Sequence, residues 1–61
     1  MTSYRCYFVD RRGAKFHADM IEAASDEEAI RTATVMLMEA TYTGEIEVWA
    51  RGRRVRTVRR S

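Results

Sequence analysis

The sequence predicts one α+β domain of the ββαββ kind, a single helix packed on one face of a four-stranded antiparallel sheet with strand order 2-1-3-4. Three observations carry this. Segments rich in β-branched and aromatic residues stand at both ends of the chain, each broken by a short glycine-containing turn. An acid-capped stretch with helical spacing of apolar residues lies between them, and there is no proline anywhere.

The first strand covers about residues 4–9, Tyr4-Arg5-Cys6-Tyr7-Phe8-Val9. Period-two alternation puts Tyr4, Cys6 and Phe8 on one face and Arg5, Tyr7 and Val9 on the other. The first set makes the better core. Asp10-Arg11-Arg12-Gly13 supplies turn chemistry, and a loop too short for a helix makes the next strand, about residues 14–23, the partner of a hairpin. In it Ala14, Phe16, Ala18 and Met20 alternate cleanly, whereas Ile21 and Ala23 fall on the opposite phase. A bulge near Asp19 and Met20 would reconcile them.

Ser25-Asp26-Glu27-Glu28 has the form of a capping box, in which the serine hydroxyl accepts from the N3 amide and the glutamate reaches back to the cap. Three acids in the first turn also suit the helix dipole. The helix is predicted over about residues 26–42, with Ile30, Ala33, Leu37 and Ala40 forming the buried stripe, Ala29 and Met36 beside it, and Gly44 as its stop. Val35 and Met38 lie off the stripe. A second hairpin pairs strands at about residues 45–50 and 53–58 around a turn at Arg51-Gly52. That register sets Trp49 opposite Arg54, Val48 opposite Val55 and Glu47 opposite Arg56.

A chain of 61 residues has room for one domain, and at this size folding buries only about 60% of the surface exposed by the unfolded chain. Stability is therefore marginal, and a second copy would add to it. The sole cysteine, Cys6, excludes a disulfide framework and fits a reducing compartment. No apolar run is long enough for a signal peptide or a membrane span, so the expected location is the cytoplasm and no membrane role is expected.

The net charge of +2 hides a segregation. Residues 1–50 carry five basic and nine acidic side chains, while residues 51–61 carry six arginines and no acid. An acidic body thus ends in a basic hairpin.

Taken together, Tyr4 to Val9, Ile21-Glu22-Ala23, Ser25 to Ile30 and Ile46-Glu47-Val48-Trp49 resemble a plan common to very short uncharacterised proteins that are numerous in alphaproteobacteria. That resemblance implies the fold and carries over no site residue. The hairpin and the Ser25 to Ile30 stretch also have a distant architectural likeness to HicB-type antitoxins, without their DNA-binding segment.

Catalysis requires a constellation that the sequence does not assemble. Cys6 and His17 are the raw material for a nucleophile and base, but the strand phases put Cys6 in the core and His17 on the opposite face. No metal-ligand spacing and no glycine-rich phosphate loop is present, so neither a cofactor nor a metal is expected. The candidate interaction surface is the sheet face opposite the helix. It carries Arg5, Tyr7, Val9, Trp49, Arg54 and Arg56, with Lys15, His17, Asp19 and Glu47 around them. Aromatics interleaved with arginines suit a homodimer or another protein. They also suit nucleic acid, reached through Trp49 and the C-terminal arginines. Asp19 and Glu47 interrupt the positive field and weigh toward protein, giving a small non-catalytic module for self-association or protein contact. Arg59 and Arg60, with Ser61, read as a frayed terminus.

Overall fold

The computed structural model describes residues 1–40 and 43–60. The order is β1 (Thr2–Val9), β2 (Lys15–Ala23), α1 (Asp26–Glu39), β3 (Glu45–Ala50) and β4 (Arg53–Arg59). All pairings are antiparallel, in sheet order β2-β1-β3-β4. The ββαββ architecture and the 2-1-3-4 order are those the sequence predicts. Placing β3 beside β1 puts the two strands with the most buried side chains in the middle of the sheet.

The core lies between the sheet and α1. Tyr4, Cys6 and Phe8 of β1 meet Ile46 and Val48 of β3, and α1 with its C-cap brings Ala29, Ala33, Leu37 and Ala40 down on them. The division of sizes has a physical logic. The strands supply the large side chains, while three of the four residues from the helix and its cap are alanines, so the helix backbone can approach the sheet closely. Leu37, burying its whole side chain, contributes about 2 kcal/mol of transfer free energy, more than any of its alanine neighbours. Val35 and Met38 point to solvent, as the stripe requires.

The helix begins as its sequence dictates. The Glu28 amide donates to Ser25 Oγ at 3.2 Å, and the Glu28 carboxylate accepts from the backbone of Ala24, one residue before the cap. Tyr4 donates its hydroxyl to Asp26 Oδ1 at 2.6 Å, which ties the first turn of α1 to the central strand. That bond to the carboxylate is also the main reason the Tyr4 phenol is held above its ordinary pKa. Ser25→Ala removes the acceptor for an otherwise orphan amide and is expected to cost about 1 kcal/mol. In a domain of this size that lowers the melting temperature by roughly 4–8 °C, measurable by circular dichroism.

The other end of the helix corrects the sequence reading. α1 stops at Glu39 with Ala40 as its cap, and the predicted last residues, 41 and 42, lie outside the described residues. Gly44 is not a left-handed stop. Positive φ occurs at Gly13, Arg51 and Gly52, whereas Gly44 donates its amide to the Val9 carbonyl at 3.0 Å and so joins the chain to the end of β1. Nor are Arg59 and Arg60 frayed. The Arg59 guanidinium lies 3.7 Å from Glu45, and Arg60 reaches back to the carbonyls of Leu37, Ala40 and Thr43. Ser61 lies outside the described residues.

The turns locate the two bulges. Asp10 Oδ1 accepts from the amides of Arg12 and Ala14, and Gly13, at φ 86°, closes the first turn. Arg51 and Gly52 both have positive φ, 54° and 79°, so the second hairpin turns through a type I′ pair whose twist matches the strands.

In β2 the register shifts opposite Phe8 and Val9, making Phe16 the extra residue, so the bulge is beside the turn and not at Asp19 and Met20. The reason is the far end of the strand. Ala23 is fully buried and Ile21 packs on the core, which fixes the phase from there back to His17. The mismatch is then absorbed where no side chain needs burial. In β4 a second shift, opposite Val48 and Trp49, sets Val48 against Arg56 and Glu47 against Thr57, in place of the predicted Val55 and Arg56 pairings.

Candidate functional site

The sheet face that α1 does not cover holds a compact cluster. Arg5, Tyr7 and Val9 come from β1, Trp49, Glu47 and Glu45 from β3, Arg54 from β4, and Lys15 and Met20 from β2. Glu47 is its hub. The Trp49 indole donates to Glu47 Oε1 at 3.0 Å, Lys15 Nζ lies 3.4 Å from the same oxygen, and Arg54 approaches Oε2 at 3.6 Å. With only 12% of its side chain exposed, this carboxylate is held below the ordinary glutamate range, mainly by the indole hydrogen bond and then by Lys15 and Arg54, against the opposing effect of burial.

The aromatic rings are bound into the same network. Tyr7 and Trp49 meet edge to face with centroids 6.1 Å apart, and Lys15 Nζ sits 5.1 Å and 5.3 Å from the two ring centres. The ammonium therefore occupies the position that a bound cation would take. Arg5 donates to the Tyr7 hydroxyl at 3.4 Å. Beside these rings a shallow groove runs over Ser3, Arg5, Met20 and the Arg51-Gly52 turn.

Of the six residues predicted for this face, Arg5, Tyr7, Trp49 and Arg54 are together on it. Two are not available there. Val9 is 3% exposed, flanked by Lys15 and Glu45 in the central strand, with the Lys15 side chain running from beside it to the rings. A lysine stem covers apolar surface in this way while its charge stays in solvent. Arg56 leaves the face because the β4 bulge puts Thr57 in the row of Glu47.

His17 and Asp19 are also corrected. They pair with Phe8 and Cys6 and so share the helix-side face, at the margin α1 leaves open. His17 packs its ring 5.3 Å from that of Phe8. Cys6 and His17 are thus on the same side of the sheet, yet they form no nucleophile and base. Cys6 is completely buried, and burial, with Asp19 adding to it, pushes its thiol up to about 11. Burial thus disfavours the thiolate that attack requires.

Met20 is the residue that sequence reasoning missed on the open face. It is 65% exposed and pairs with Arg5, and the misplaced bulge had assigned it to the core. The phase of Ile21 and Ala23 was the available signal, since the neighbour of a core residue in a strand must face away.

The class that these features define is a small ββαββ domain with one covered and one open sheet face. Among the described residues no three His, Cys, Asp or Glu side chains gather as metal ligands, and no helix is long and apolar enough to cross a membrane. Comparison with protein-family models, with curated proteins and with solved structures gives no match.

Proposed function

We propose that this chain is a non-catalytic protein-interaction module that self-associates through the open face of its sheet. The observation that supports it best is the exposed Met20 beside the half-buried Tyr7 and Trp49, an apolar and aromatic patch that no helix covers. Residues of these types are enriched at the energetic centres of protein contacts. The charges around the patch are mixed, with Arg5, Lys15, Arg54 and Arg59 against Glu22, Glu45 and Glu47 in the same rows. Such a face, nearly balanced in charge, can set the cations of one copy against the carboxylates of a second. The single buried thiol fits a cytoplasmic setting, and the likeness to short alphaproteobacterial proteins belongs to the same reading.

One observation favours nucleic acid instead: Arg51, Arg53 and Arg56 are exposed on the second hairpin. Against it, Lys15 holds the ring faces on which bases would stack, and a carboxylate sits at the centre of the cluster. The two readings separate in one set of measurements. The wild type is expected to sediment as a dimer or larger assembly at about 0.5 mM, and Trp49→Ala to weaken that association about tenfold or more, the effect of truncating a central aromatic. A monomer at that concentration rejects self-association. Affinity for single-stranded DNA or RNA that falls linearly with the logarithm of salt concentration would replace it with the nucleic-acid reading.

A further inference from the structure

The exposed edge of the sheet at β2 is a surface separate from the open face. Apart from Ile21 and Ala23 every residue of β2 is exposed, it lies at the end of the sheet order, and it contains no proline. Edge strands of this kind present backbone amides and carbonyls to any strand that can align with them. The opposite edge is different. β4 exposes Arg53, Arg54, Arg56 and Arg59, and two copies of it would repel.

We propose that β2 pairs antiparallel with β2 of a second copy about a twofold axis through Ala18, giving a continuous eight-stranded sheet. The sequence of the strand selects this register. With Ala18 opposite Ala18, His17 of each copy faces Asp19 of the other, all four side chains on the helix-side face. The imidazole and the carboxylate already lie within 3.1 Å of each other in one chain, both about half exposed and on the same face. Two such pairs brought together alternate donor and acceptor across the junction. Moving the axis to Asp19 would oppose two carboxylates, and moving it to His17 would oppose two imidazoles.

The fold leaves room for the contact. α1 packs more extensively on β3 and β4 than on β2, so a second helix on the same side meets no obstruction near His17. A twofold contact uses the same patch on both copies and closes at two subunits. The open faces stay uncovered, so the edge contact does not depend on the contact proposed above.

Cysteine cross-linking of the full chain tests the register. Cys6 is fully buried, so an Ala18→Cys variant carries one accessible thiol. A short bis-maleimide is expected to convert it to a covalent dimer at about 0.5 mM, because facing Cβ atoms in antiparallel strands are about 4.5–5.5 Å apart. Arg53→Cys, on the other edge, is expected to remain monomeric. Asp19→Lys should weaken the dimer about tenfold by removing the carboxylate that faces His17 in both pairs, and His17→Glu/Asp19→Lys should restore it.

No cross-linked dimer from Ala18→Cys overturns the edge contact, whatever Trp49→Ala does. Cross-links formed only between mixed Ala18→Cys and Arg53→Cys chains also overturn it, in favour of head-to-tail pairing of β2 with β4. Cross-linking with sedimentation unaffected by Trp49→Ala would reject the open-face reading and leave the edge contact standing.

Discussion

Arg60→Ala is expected to lower stability by about 2 kcal/mol, the scale of hydrogen bonds made by a charged donor. The last four carbonyls of a helix have no partners within it and carry the negative end of its dipole. In α1 the Met36 carbonyl is satisfied by the Ala40 amide, and the last turn contains no basic residue. Arg60 supplies what is missing, from 23 positions beyond Leu37 and 20 beyond Ala40. One of its terminal nitrogens donates to the carbonyls of Leu37 and Ala40, and Nε donates to that of Thr43 at 3.1 Å.

Its removal leaves those acceptors short of a partner and loosens the junction between β4 and α1. For a domain this small the melting temperature should fall by on the order of 10 °C. Arg60→Lys should recover only part of the loss, because an ammonium keeps the charge but lacks the planar fork that spans several acceptors. A melting temperature within a degree of the wild type would show that these hydrogen bonds contribute no net stability in solution.

Arg60 also shows where the sequence was legible and where it was not. Local signals were read correctly: the Ser25 cap, the alanine-rich stripe and the Arg51-Gly52 turn each depend on neighbours within a few positions. Strand order was legible because the strands with the most apolar residues belong in the middle. The C-terminal arginine was not, since nothing near it in sequence indicates that the helix end lacks a cation.

Both bulges escaped for a related reason. A bulge is placed by which end of a strand the core holds more firmly, and that depends on contacts between strands. The consequences for the candidate face were direct. One misplaced bulge moved His17, Asp19 and Met20 to the wrong sides of the sheet, and an unforeseen one removed Arg56. Arg5, Tyr7 and Trp49 were placed correctly because they lie in β1 and β3, whose pairing is regular.

Glu47→Ala is expected to cost a further roughly 2 kcal/mol, and the origin of that figure can be divided. The bond from the Trp49 indole to a largely buried carboxylate supplies most of it, being charge-assisted. Lys15 and Arg54 are each about half exposed, so their ion pairs add only a few tenths each. The dependence on pH follows from the direction of the shift. A carboxyl whose folded pKa lies below its unfolded value stabilises the fold above the ordinary glutamate pKa of about 4.3, and that contribution is lost as pH falls through the lower, folded value.

Glu47→Gln should therefore be less stable than wild type near pH 7, with the difference shrinking as the solution is acidified below about pH 4. The amide still accepts from the indole but no longer attracts Lys15. Released from Glu47, the ammonium should spend less time over the two rings, and the fluorescence of Trp49, the only tryptophan, should report greater exposure to solvent. If self-association uses the open face, a mobile Lys15 also disorders the surface that the second copy must meet, and the dimer should weaken in parallel with the fluorescence change. Equal stability of Glu47→Gln and wild type at every pH from 3 to 7, within about 0.3 kcal/mol, would mean that the network around Glu47 is no stronger than ordinary surface ion pairs.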